Sequence, residues 1–237
     1  MGMKQGRSKV LRVAAALLLL TALGITGFRA YASDYYVAER YTPQTKEVEE
    51  TEDYIVYGDT ESAVGFIFYP GAKVEETAYG PILDELAQAG VCCVLVKMPY
   101  HLAVLDADAA ERVMAELPEV ETWYIGGHSL GGAMAAGFAE EHESALAGLI
   151  LLAAYPTGEI GELPVLSLYG SEDEVLNKEK YDKSIPLAAH LTEYVIEGGN
   201  HAGFGNYGAQ KGDGEAYLPR EEQWQETVDY ILSFMGQ

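Results

Sequence analysis

The sequence has the pattern of an α/β domain: a mainly parallel, doubly wound sheet flanked by helices. From Tyr54 onward, apolar strand-like runs alternate with stretches whose apolar residues recur at helical spacing. Such alternation is how parallel strands are connected. Two of the runs, 91–96 and 147–154, carry no polar face at all, as expected of strands buried on both sides. Between the run at 122–126 and a small-residue helix stands Gly127-His128-Ser129-Leu130-Gly131. Its glycines let the chain turn sharply while strand and helix pack closely.

The first 32 residues stand apart from this pattern. Lys4, Arg7, Lys9 and Arg12 make a positive start, 13–28 is uncharged and mainly apolar, and Ala30-Tyr31-Ala32 offers small residues where a signal peptidase reads. The 16 residues of 13–28 are short for a bilayer span of about twenty. An exported chain with a leader cleaved after residue 32 is the first expectation. The second, which Arg29 keeps open, is membrane attachment through an uncleaved 13–28. Residues 33–53 hold Glu47, Glu49, Glu50, Glu52 and Asp53 and are expected as an acidic tether, with the folded domain spanning 54–237.

Within that domain, strands are expected at 54–57 and 63–69, around a turn at Gly58-Asp59. A helix follows over 76–89, with Ile82, Leu83, Leu86 and Ala89 at core spacing and Gly90 as its stop. Next come a central strand at 91–98, a helix at 106–117, the strand at 122–126 and a helix running to about His142. Strands at 147–154, 163–169 and 191–196 and a closing helix at 220–235 complete the series.

A chain of 237 residues suits one globular domain with a full core. The formal charge is −22, and the first 32 residues hold five of the 15 basic residues and none of the 37 acids, so without them it is −27. Such a body repels phosphate backbones and anionic lipid, which argues against nucleic acid as a partner. Cys92 and Cys93 are adjacent in a strand and point to opposite faces, so they are expected as small buried hydrophobes, not as a disulfide. No metal-ligand spacing or nucleotide loop accompanies them, and no cofactor or metal is expected. The stretch Lys211-Gly212-Asp213-Gly214-Glu215 lacks the alternating ligands of a calcium loop and is expected as a turn.

The chemistry is read from the Gly127–Gly131 pattern. A G-x-S-x-G between strand and helix describes a nucleophile elbow. A serine hydroxyl is a weak nucleophile at neutral pH, so Ser129 needs an imidazole, itself oriented by a carboxylate. In this arrangement the chain order is Ser, acid, His. Of the five histidines, His101 and His128 precede the serine, His142 lies on the elbow's own helix, and His190 comes just before a strand. His201 follows that strand, in a Gly-rich loop at the end where open parallel sheets build their sites. The acid is expected at Asp173, three residues beyond a buried strand ending at Gly170. Glu172 and Glu174 have the same chemistry and remain alternatives.

On these residues the chain resembles a small α/β-hydrolase of the compact bacterial kind grouped near dienelactone-hydrolase-like and simple esterase enzymes. The resemblance rests on the elbow around Ser129, the Gly170-Ser171-Glu172-Asp173 turn and the Gly199-Asn200-His201 loop, in that order, and covers roughly 54–237. It implies Ser129 as nucleophile, His201 as general base, Asp173 as orienting acid, and an oxyanion hole from the backbone N–H groups of Leu130 and Ala72. Ala72 lies in Pro70-Gly71-Ala72-Lys73, where many relatives carry His in place of Pro70. Lys73 is a candidate contact for an anionic substrate, and Tyr100, Tyr155 and Tyr207 are candidate pocket residues. Relatives with large lids insert them between the strands at 147–154 and 163–169, and here only 156–162 remain. The implied fold is therefore an α/β-hydrolase with minimal or no cap. The implied substrate is a small-molecule acyl compound, a small or exposed carboxylic ester cleaved through an acyl-enzyme. Thioesterase, amidase or lactone hydrolysis would use the same triad, and a non-catalytic exported binding module is the reading from another class.

Overall fold

The computed structural model describes the backbone of residues 2–237 and the side chains from residue 17 onward. It contains two compact units, one ending at Tyr35 and one spanning Tyr36–Gln237. The first is a single helix, α1 (Gly2–Ala32), in which the Thr21 and Thr26 hydroxyls donate to the Leu17 and Ala22 carbonyls at 2.9 and 2.8 Å. Among the described residues, no helix is long and apolar enough to cross a membrane. The side chains of Lys4, Arg7, Lys9 and Arg12, and of 13–16 in the expected apolar stretch, lie outside the described residues.

The second unit is built on an eight-stranded sheet: β1 (Val48–Glu50), β2 (Tyr54–Tyr57), β3 (Val64–Tyr69), β4 (Cys92–Val96), β5 (Thr122–His128), β6 (Gly148–Leu152), β7 (Ile160–Gly170) and β8 (Ala188–Ile196). Their spatial order is β1-β2-β4-β3-β5-β6-β7-β8. β1 and β2 run antiparallel, and every pairing from β4 through β8 is parallel. The expected mainly parallel α/β sheet is therefore what forms. Its apolar strands divide their side chains between two cores. Phe66, Phe68, Cys93 and Leu95 join α2 (Gly80–Gln88) and α6 (Arg220–Met235) on one face. Ile67, Tyr69, Cys92 and Val94 join α3 (Ala109–Glu116) and α4 (Leu130–His142) on the other.

Several boundaries differ from expectation. The helix expected over 76–89 begins as a 3-10 turn, Glu76–Tyr79, and becomes α-helical at Gly80, with Pro81 in the first turn. A short helix, α5 (Lys178–Ser184), was not expected; the Asn177 side chain caps it by accepting from the Lys180 N–H at 2.9 Å. β7 begins at Ile160, so the crossover from β6 is shorter than the sequence pattern implied, and there is no room for a cap.

The segment expected as a tether is ordered from Tyr36 onward. Tyr36 forms a parallel bridge with Val74, and β1 extends the sheet beside β2. Part of the segment is held by Asp84 on α2, which is fully buried and so needs hydrogen-bond partners. Its carboxylate accepts the Tyr41 hydroxyl at 2.6 Å and the N–H groups of Gln44 and Thr45 at 2.7 and 2.9 Å. The folded domain thus starts near residue 36 and not at 54.

Candidate active site

The elbow has the geometry its glycines permit. β5 delivers the chain to Ser129, which sits at φ 53°, ψ −121° immediately before α4. A non-glycine residue in that region carries about 1–3 kcal/mol of backbone strain and persists only where its surroundings impose it. The surroundings here are backbone. A Cβ on Gly127 or Gly131 would run into the Tyr69 carbonyl, so the turn presses against the end of β3. The Ser129 N–H donates to the Leu152 carbonyl at 2.9 Å and its own carbonyl accepts from Ala133 N–H at 3.0 Å, which fixes the turn between β6 and α4.

The loops after β7 and β8 bring the other two expected residues together. His201 Nδ1 lies 2.9 Å from Asp173 Oδ2, with both side chains buried. The second Asp173 oxygen accepts from the Val175 and Leu176 N–H groups at 2.9 and 2.7 Å. A carboxylate facing Nδ1 accepts only, so the His201 proton resides on Nδ1 and Nε2 carries the lone pair. That Nε2 is buried and has no hydrogen-bond partner in the protein. Of the neighbouring acids, Glu172 takes the Ser171 hydroxyl at 2.9 Å and Glu174 is exposed. Asp173 is the one the fold brings to the imidazole.

Ser129 and His201 line the same cavity, of about 250 Å³. Leu130, Ala133, Ala153, Ala154, Val175 and Leu176 supply its apolar wall, and Tyr155 and Asn177 complete it. No Asp, Glu, Lys or Arg lines it, in a chain whose residues are 22% charged. Of the candidate pocket residues, Tyr155 is in the wall. Tyr207 is buried outside it, with its ring 5.5 Å from that of Tyr36 and its hydroxyl 3.0 Å from Gln210 Oε1, and is a packing residue. Tyr100 and Lys73 also lie outside the lining; both sit at positive φ in loops after β4 and β3, held together where the Lys73 N–H donates to the His101 carbonyl at 2.8 Å. Of the two candidate oxyanion donors, Leu130 lines the cavity at the start of α4. Ala72 belongs to the loop that abuts the elbow and is not part of the lining.

Several supporting residues were not found from sequence. The Tyr79 hydroxyl accepts from the Gly71 N–H at 3.0 Å and lies 2.8 Å from His128 Nδ1. The Tyr79 hydroxyl and His128 Nδ1 share one hydrogen bond. Tyr79 thereby joins the loop containing Ala72 to His128, the residue preceding Ser129. Burial, with the neighbouring His201 adding to it and a weaker opposing pull from the His201 backbone, holds the His128 imidazole well below its ordinary pKa. On the other side, fully buried Gln223 of α6 clamps Asn200 by accepting its N–H at 3.1 Å and donating to its carbonyl at 2.9 Å. These partners are far apart in sequence, and a lone Tyr or Gln on a helix gives no pattern to read. Among the described residues, no group of three or more His, Cys, Asp or Glu side chains is arranged to hold a metal ion.

Comparisons with known proteins agree with this architecture. No curated protein matches the sequence. Among solved structures, the fold is similar to that of MGS-MChE2, an alpha/beta hydrolase enzyme from a lagoon-sediment metagenome. The TM-score is 0.61 at 12% identity, over 81% of this chain and 100% of the other. It is also similar to Thermogutta terrifontis esterase 2 phosphonylated by sarin, with a TM-score of 0.60 at 14% identity over 83% and 97% of the two chains. A third is Est1E from Butyrivibrio proteoclasticus with ferulic acid bound, with a TM-score of 0.56 at 15% identity over 81% and 100%. Residues 65–225 match the alpha/beta hydrolase family. That match spans most of the chain and both ends of the site, from the strand before Ala72 to the helix that carries Gln223: the chain belongs to the alpha/beta hydrolase family.

Proposed function

We propose that the protein is a serine hydrolase that cleaves a small or exposed carboxylic ester through an acyl-enzyme. The observation that carries this reading is the state of His201. Its Nδ1 is committed to Asp173, its Nε2 is buried with no hydrogen-bond partner in the protein, and His201 and Ser129 line the same cavity. Ser129 Oγ attacks the ester carbonyl while His201 Nε2 takes the hydroxyl proton. The imidazolium then returns that proton to the leaving alcohol, and water repeats the sequence on the acyl-enzyme. Asp173 fixes the tautomer and stabilises the imidazolium. The Leu130 and Ala72 N–H groups are assigned to the oxyanion, at about 3 kcal/mol per donor in comparable sites.

The apolar, uncharged wall and the short crossover after β6 support a small neutral acyl group. The fold likeness to an esterase and to a protein with ferulic acid bound is in keeping with an ester substrate. The test is hydrolysis of p-nitrophenyl acetate and butyrate by the wild type and Ser129→Ala, with fluorophosphonate labelling of both. Activity and labelling are expected in the wild type, with loss of about 10⁴-fold or more in kcat for the variant. Equal rates in the two proteins would overturn the reading. Thioester and amide analogues of the same acyl group separate esterase from thioesterase and amidase.

A further inference from the structure

The stretch Lys211-Gly212-Asp213-Gly214-Glu215, expected only as a turn, contacts both loops that hold the Asp173–His201 pair. Asp213 Oδ2 accepts from the Ala202 N–H at 2.8 Å, and Oδ1 accepts from the His201 N–H at 3.3 Å. Oδ1 also accepts from the Glu174 N–H at 3.4 Å and from Gly214 N–H at 2.9 Å. One carboxylate therefore gathers donors from His201, from the residue after it, and from the residue after Asp173. Hydrogen bonds to an ionised acceptor are shorter and stronger than neutral ones, and a rigid planar carboxylate fixes the spacing of the groups that share it.

Packing at the next residue points the same way. A Cβ on Gly214 would collide with the Glu172 carbonyl, and nearby atoms include Glu174 Cγ at 3.3 Å. The turn therefore lies directly on the backbone of the loop that carries Asp173. The Gly214 carbonyl in turn accepts from Asn200 Nδ2 at 2.7 Å, while Asn200 Oδ1 accepts from the Gly203 N–H at 2.9 Å. Both flanks of His201 are thus fastened to residues 213–214, and so is the acid loop.

We propose that Asp213 is a positioning residue, whose carboxylate ties the backbone of the His201 loop to that of the Asp173 loop and so sets the Asp173–His201 hydrogen bond. The proposal rests on the assignment of Asp173 and His201 as acid and base. Asn at 213 keeps one acceptor oxygen but turns an NH₂ toward a backbone N–H, so the clamp opens on one side without a change of volume. Gly214→Ala keeps the Asp213 carboxylate and pushes the turn off the Glu172 carbonyl.

Two measurements on the full chain test this. The first is the low-field proton resonance of His201 Nδ1–H, which reads the bond to Asp173 directly and needs no turnover. In Asp213→Asn and in Gly214→Ala it is expected to shift upfield or broaden away, while Glu215→Gln, an exposed acid on the same turn, leaves it unchanged. The second is p-nitrophenyl acetate kinetics: both positioning variants are expected to lose tenfold or more in kcat with KM within about twofold. A His201 resonance unchanged in Asp213→Asn overturns the proposal whatever the rates do. Wild-type protein inactive on every ester would sink the esterase reading, and the resonance would still decide the role of Asp213.

Discussion

His128 packs its imidazole against that of His201, with ring centroids 4.4 Å apart and planes inclined at 51°. Two fully charged rings at that separation would repel each other in a buried site, and the fold avoids this by keeping His128 neutral. The linkage has a defined sign. Folded His128 resists a proton that the unfolded chain accepts near pH 6.5. Stability contributed by neutral His128 is therefore complete above about pH 6.5 and is lost as pH falls below it, at up to about 1.4 kcal/mol per pH unit for one proton. Thermal unfolding between pH 7.5 and 5 should show a shallower slope in His128→Gln than in the wild type. Parallel curves would mean that His128 titrates normally in the folded protein.

Asp173 has two separable tasks, and two substitutions divide them. Asp173→Asn retains an oxygen for the Val175 and Leu176 N–H groups but offers His201 Nδ1 an NH₂, which favours the wrong tautomer. In a serine protease the same change costs about 10⁴ in kcat, and a loss of that order with little change in Tm is expected here. Asp173→Ala orphans both N–H groups as well, at roughly 1–3 kcal/mol for each buried donor, so its Tm should fall clearly below that of Asp173→Asn. Equal Tm values in the two variants would show that the caps contribute nothing.

Ala133 sets the room available to the substrate. The cavity of about 250 Å³ corresponds to about eight water volumes at ~30 Å³ each, enough for a short acyl group. Phe in place of Ala133 fills much of it. The kcat/KM for p-nitrophenyl butyrate is expected to fall by about tenfold more than that for acetate, about 1.4 kcal/mol of discrimination. Equal losses on both esters would place the acyl group elsewhere.

The paired cysteines should be inert in the folded protein. Cys92 and Cys93 are fully buried in opposite cores, and burial pushes the Cys92 thiol up to about 11 and Cys93 well above its ordinary value. At pH 8 both remain protonated and inaccessible, and the thiol is the unreactive form. A disulfide reagent should titrate no thiol in native protein and two after denaturation in guanidinium. Rapid reaction of either cysteine in native protein would contradict this burial.

The catalytic half of the fold was legible because its signals are local. The elbow writes its geometry into five consecutive residues, and β6 announces its burial by having no polar side chain. The closing helix follows its pattern from Arg220 to Met235. What escaped depends on partners distant in sequence. β1 is the exposed triplet Val48-Glu49-Glu50, which has weak strand propensity and exists because β2 offers it an edge. Tyr41, Gln44 and Thr45 are held by the buried carboxylate of Asp84, and an aspartate in an amphipathic helix looks like any solvated acid until the fold buries it. Asp213 was hidden for the same reason, in a chain with 37 acids. The acid beside the imidazole could be narrowed to Asp173, Glu172 or Glu174 from sequence, but only the loop geometry decides which carboxylate meets Nδ1.

The close packing at the elbow bears on how this site can change over time. Gly127 and Gly131 face carbonyl oxygens of β3 and the loop after it, so a side chain at either position requires the backbone itself to move. Ser129 and His201 carry no such burden, since their replacement by another small or planar residue leaves every strand where it is. A change at Ser129 or His201 therefore disturbs the frame of the elbow less than a side chain at either glycine.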